Sequence, residues 1–112
     1  MSLTLTDLQA LLAPAVEPVT LTSGKTVYVR EVPSATAQEM GKLLEAATNE
    51  NERLNLVAAT YLADENGQPL CEPGNPEHMA VIAKLGLPNV RRVLLAGDRL
   101  NALFADGDEK KS

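Results

Sequence analysis

The sequence predicts an α+β protein, a mainly helical single domain of four to five helices with one N-terminal β-hairpin. Three observations lead there. Val19 and Leu21 alternate with Thr20 and Thr22, and Val27 and Val29 with Tyr28 and Arg30. That period of two, rich in β-branched residues, suits a half-buried pleated surface. After Pro33 the apolar period lengthens to that of a helix and stays there for most of the chain. Aromatic residues are limited to Tyr28, Tyr61 and Phe104, with no Trp, so the core must come from Leu, Val, Ile, Met and Ala packed between helices.

Taken in order, Thr6-Asp7-Leu8-Gln9 has the form of a capping box and opens a short helix that ends before Pro14, with Leu8, Leu11 and Leu12 on one face. The hairpin follows, and Ser23-Gly24 supplies its tight turn. Pro33 ends the strand pairing, and Ser34 or Thr36 offers a hydroxyl to cap the next helix. That helix runs from Ser34 to about Ala47, with Ala37, Met40, Leu43, Leu44 and Ala47 in helical register. Gly41 inside it costs about 1 kcal/mol against Ala, which points to a close helix contact there.

Asn49-Glu50-Asn51 forms a polar joint. A second helix from Glu52 to Ala63 presents Leu54, Val57, Ala58 and Tyr61 on one face, and Asp64-Glu65-Asn66-Gly67 ends it with a turn. Residues 68–76 carry three prolines and Gly74, so they read as an ordered loop. Glu77 to Leu85 is a short third helix, stopped by Gly86 and Pro88. Asn89 caps a long last helix reaching about Phe104, and a flexible charged tail spans 106–112. The domain is expected to occupy residues 1–105.

At 112 residues the chain can bury about two-thirds of its unfolded surface. No apolar run approaches the roughly 20 residues that span a bilayer. The opening MSLTLTDLQ has no basic n-region, so it is not read as a signal peptide. Cys71 is the single cysteine and reads as a small filler in a reducing compartment. The net charge of −5 is uneven: residues 34–80 carry eight acidic and two basic side chains, while 81–105 carry Lys84, Arg91, Arg92 and Arg99 against Asp98. The acidic total argues against general nucleic-acid binding.

On a helical wheel of the last helix, Val90, Val93, Leu94, Gly97, Leu100 and Phe104 share one arc roughly 120° wide, an ordinary core stripe. Leu95 falls on nearly the opposite side between Arg91 and Arg99, and Leu103 sits off the stripe beside Arg92. One reading is a helix tucked between others. The sharper one makes Arg91, Arg92, Leu95, Arg99 and Leu103 a partner-facing surface, apolar residues rimmed by arginines.

The search for chemistry finds no catalytic, cofactor or metal residues. His78, the single histidine, and Cys71 supply two ligands where a structural zinc site needs four. Asp64 and Asn66 fit the alternation of a calcium loop, but Glu72 lies five residues after Gly67 rather than six, and Pro69 interrupts it. There is no phosphate-cradling glycine loop, nucleophile elbow or dinucleotide fingerprint. The stretch from Ile82 to Leu94 has the outline of a helix-turn-helix, but Gly86 follows Ala83 by three residues where that motif takes about four. The expectation is a protein that is not an enzyme and works through its surfaces.

The order of elements resembles the tail assembly chaperones of long-tailed, siphovirus-type bacteriophages. The residues that carry the resemblance are the hairpin VTLTSGKTVYVREVPSA, the helix end AATYLADENGQPL and the closing helix VRRVLLAGDRLNALF, over roughly residues 17–105. The resemblance implies a non-catalytic chaperone of phage or prophage origin. It would bind the tape measure protein before the tail tube polymerises and be absent from the mature virion. It also implies the host cytoplasm, self-association, contact with tail tube protein, and neither cofactor nor membrane. Such chaperones are often made in two lengths by ribosomal frameshift, and Glu109-Lys110-Lys111 can be encoded with the slippery heptamer A-AAA-AAG. An AAG codon at Lys110 would exclude it. Two alternatives stay open: a small helix-turn-helix-like DNA-binding regulator using residues 82–99, and a virion tail-completion subunit. The hairpin's outer edge is a further candidate for pairing with a neighbouring subunit.

Overall fold

The structure, a computed structural model, describes residues 4–6 and 15–101. Strands β1 (Val16–Thr20) and β2 (Thr26–Arg30) pair antiparallel, with Val16 opposite Arg30 and Thr20 opposite Thr26. The turn closes where Leu21 N donates to Lys25 O at 2.8 Å and Gly24 N to Leu21 O at 2.9 Å, with Gly24 at φ 90°. A residue with a Cβ would be strained there, so the Ser23-Gly24 reading holds for a physical reason. Strand β1 begins three residues before the alternation suggests and includes Pro18. It can, because β1 is an edge strand of the sheet. The Leu21–Lys25 and Glu31–Ala15 bonds set the ladder so that Pro18 occupies a position whose missing N–H points away from β2.

Helix α1 spans Ser34–Ala46 and α2 spans Glu50–Tyr61. The sequence reading carried α2 to Ala63; instead Leu62 turns extended and β3 (Leu62–Ala63) pairs with β2, Val29 opposite Leu62 and Tyr28 opposite Ala63. The hairpin is thus part of a three-stranded sheet ordered β1-β2-β3. Two residues are too few to show a period of two, which is why the third strand left no trace in the pattern. Asp64-Glu65-Asn66-Gly67 does form a turn, but one that leaves a strand: the Asp64 carboxylate accepts from Asn66 N at 2.8 Å and Gln68 N at 3.0 Å. The chain then returns to bridge Ala63 with Pro69.

Helix α3 spans Pro76–Ala83 and α4 spans Leu87–Leu100. Capping differs from expectation at α1 and α4, the two of these helices for which a cap was named. Pro33 precedes α1 without a side-chain cap, so neither Ser34 nor Thr36 serves. Asn49 caps α2 by accepting from Glu52 N. Asn75 caps α3 through Glu77 N and His78 N. Gly86, at φ 92°, stands at the start of α4, and Asn89 lies inside the helix.

The core gathers Val19 and Val29 from the sheet, Ala58, Ala59 and Tyr61 from α2, Ile82 from α3, and Val90, Val93 and Ala96 from α4. Val90, Val93 and Gly97 of the expected stripe are buried, and Leu94 and Leu100 partly so. Helix α1 contributes no buried residue. A Cβ built on Gly41 would meet nothing within 4 Å, so the close contact expected there is absent. The close contact is at Gly97, which lies flat against the ring of Tyr61. The Tyr61 hydroxyl donates to Asp98 Oδ1 at 2.5 Å, and burial together with that carboxylate pushes the phenol well above its usual range. The expected first helix from Thr6, Phe104 and the 106–112 tail fall wholly or almost wholly outside the described residues.

Candidate partner-binding surface

Helix α4 runs antiparallel to β1 and is tied to it by side chains at matched spacing. Arg99 pairs with Glu17, Arg92 Nη1 donates to Thr20 O at 2.8 Å, and Asn89 Oδ1 accepts from Thr22 N at 2.8 Å. Seven residues of helix and three of strand both cover about 10 Å, so the two ladders stay in step. At the far end Asn101 accepts from Val32 N at 2.8 Å and donates to Arg30 O and Gly97 O. On the hairpin's outer edge Pro18 has no N–H to offer, and the Thr20 carbonyl accepts from Arg92.

The sequence-selected surface therefore divides. Arg92 and Arg99 are held by β1. Arg91 is exposed, and among the described residues it makes no hydrogen bond or ion pair. Leu95, one turn further along, is 66% exposed. Leu103 lies outside the described residues. What faces outward from α4 is thus the Arg91–Leu95 ridge, with Arg99 at its border.

Three further surface features were not singled out in the sequence. Leu70 and Val81 are 51% and 60% exposed and rim a cleft of about 290 Å³ whose floor includes Leu21, Val27, Leu62 and Ile82. A groove of about 550 Å³ separates α1 from α2 and the start of α3, lined by Leu43, Ala46, Asn55, Leu56 and Met79. The third is a cleft around Arg30, Thr36, Cys71 and His78. Arg30 is 93% buried by virtue of its 7% exposure, and burial lowers its guanidinium from the usual value. The exposed Leu70 and Val81 could not be found from the pattern, because both stand in short segments where no period is measurable.

Cys71 and His78, weighed as a pair in the sequence, line one cleft. His78 Nδ1 accepts from Glu72 N at 2.9 Å, and burial pushes the Cys71 thiol up, away from the reactive thiolate. Among the described residues no group of three or more His, Cys, Asp and Glu side chains could hold a metal ion. Among the described residues no helix is long and apolar enough to cross a membrane.

No family model matches the chain, and no curated protein matches it. Among solved structures it is similar to that of the bacteriophage HK97 tail assembly chaperone, with a TM-score of 0.54 and 20% sequence identity, over 85% of this chain and 97% of the other. The α+β architecture built above is therefore a fold shared with that chaperone.

Proposed function

We propose that this chain is a non-catalytic tail assembly chaperone that binds the tape measure protein and assists tail tube polymerisation. The observation that carries the reading is the shared fold, which spans nearly the whole of the phage chaperone. Its surface supports the same role. Leu70 stands exposed on the loop after β3, Val81 on α3, and Leu87 and Leu95 on α4, while α1 keeps its apolar residues only half covered, an arrangement suited to holding another polypeptide. In this reading the chain acts in the host cytoplasm, self-associates, contacts tail proteins and leaves before the virion is complete. On the outward face of α4 two of three arginines are engaged by β1, which leaves little to neutralise a phosphate backbone.

Co-expression tests it. With a long helical tape-measure chain from the same genome, the two should co-purify, and the long chain should be less soluble alone. Purified particles examined by mass spectrometry should lack this chain. Its presence in particles at fixed stoichiometry would make it a virion subunit, and a salt-sensitive shift of duplex DNA at micromolar protein would make it a regulator.

A further inference from the structure

We propose that the Arg30 cleft is a carboxylate site that takes an acidic side chain or the C-terminal carboxylate of a peptide segment from a protein partner. Arg30 Nε donates to Thr60 O at 3.1 Å. Its two Nη groups make no hydrogen bond and no ion pair among the described residues, yet no buried side-chain nitrogen is left sealed without a partner. The fork therefore opens into the cleft, whose volume is about 420 Å³. A buried guanidinium without a counter-charge is costly, and its paired N–H groups match a carboxylate in two-point contact.

A second feature converges on the same place. Helix α1, of 13 residues, begins without a side-chain cap and without an acidic residue in its first turn. Ala37 N is the first to find a helical partner, in Pro33 O, so the preceding amides and the positive end of the helix are open to an anion. Thr36 lines the cleft with a hydroxyl that makes no hydrogen bond among the described residues. His78 lines it too, and because Nδ1 accepts from Glu72 N the ring hydrogen sits on Nε2 as a donor. Glu72 stands on the rim, exposed, and forms no ion pair with Arg30.

The walls decide what carries the carboxylate. Pro69, Leu70 and Pro73 supply apolar surface, and the cleft has the size of a small-ligand pocket rather than of a lone anion hole. The surrounding segment, residues 34–80, carries eight acidic side chains against two basic, which repels a polyanion such as nucleic acid but admits one carboxylate on an otherwise apolar segment. The site rests on this chain's own residues and stands independently of the tail-assembly reading.

The test is an NMR titration of the full-length chain, following the Arg30 Nε–H and Thr36 amide signals. The probes are acetyl-Ala-Ala-Leu with a free terminus, the same peptide as its amide, acetyl-Ala-Glu-Leu amide, and acetate. Saturable shifts are expected with one or both carboxylate peptides and none with the uncharged amide; which of the two binds identifies a terminal or a side-chain source. Arg30→Gln should abolish the shifts and Arg30→Lys weaken binding about tenfold through loss of the fork. Should Arg30→Gln not fold, Thr36→Val is expected to weaken binding about fivefold, one hydrogen bond, and Glu72→Gln to strengthen it. Equal shifts with the uncharged amide, no saturable shift with either carboxylate peptide, acetate binding as tightly as the peptides, or indifference to both rim variants would each overturn the proposal.

Discussion

Replacing Gly97 by Ala isolates the contact on which α4 is seated. In a solvent-exposed helix this change stabilises by about 1 kcal/mol, because Ala restricts the unfolded chain and covers backbone. At Gly97 the new Cβ would lie 2.5 Å from Tyr61 Cε2 and closer still to Cδ2 and Cγ. Ordinary carbon contacts begin near 3.5 Å, so ring or helix must move by about 1 Å. The ring has little room to yield: Tyr61 is 1% exposed and its hydroxyl is tied to Asp98, the next residue along α4. Overpacking of this kind costs about 1–3 kcal/mol, and a lost hydrogen bond to a charged group about 1.5–3 kcal/mol. Set against the helix gain, the net expected loss is about 2–4 kcal/mol, a substantial part of the roughly 5–15 kcal/mol such a domain commands. For a chain of this length that lowers the melting midpoint by about 8–16 °C. Gly41→Ala is the control, since its Cβ meets nothing within 4 Å and the change should stabilise by about 0.5–1 kcal/mol. Thermal and urea unfolding of the three proteins by far-UV circular dichroism measures both. If Gly97→Ala proves as stable as Gly41→Ala, the seating of α4 on Tyr61 is wrong.

Tyr61→Phe should cost about 1.5–3 kcal/mol by leaving Asp98 without its donor. It should also remove an alkaline limb. The folded phenol titrates above the unfolded one, so its contribution is complete below about pH 10 and lost as pH rises further. Urea midpoints between pH 7 and 11 should therefore fall more steeply for the wild type than for the variant. Asn101→Ala removes two hydrogen bonds joining the end of α4 to the exit of β2, and a third back to Gly97 O in α4 itself, and should cost about 2–3 kcal/mol, read as a shifted denaturant midpoint at unchanged slope. Leu95→Glu should leave stability within about 0.5 kcal/mol of wild type, given its exposure, while weakening self-association or client capture in sedimentation and pull-down assays. Outright unfolding of that variant would place Leu95 in the core.

Long, periodic elements were legible without coordinates. The hairpin alternation, the Gly24 turn, the bounds of α1 and the buried side of α4 all follow from spacing, because each spans enough residues for a period to register. What spacing could not carry was the two-residue strand β3, the start of α4 at Gly86 where Asn89 was expected to cap it, and the choice of Gly97 over Gly41 as the point of close approach. Each is a matter of which distant residue arrives. The same holds for the surface. Amphipathicity set Leu95 outward, but it could not separate Arg91, which stays free, from Arg92 and Arg99, which reach across to β1.

Arg30 shows the division most plainly. In the alternating second strand it stands with Tyr28 on the face opposite Val27 and Val29, and local pattern says nothing of what it meets there. Its burial is set by residues some thirty positions away, where Thr60 accepts its Nε–H and the 69–73 loop walls the cleft. Sequence by itself determined the class of fold and where its main helices and hairpin run, since those depend on periods within a dozen residues. Only the tertiary structure decided which charges are spent on holding the fold and which remain for a partner, because a side chain's solvation is fixed by neighbours that local periodicity does not encode.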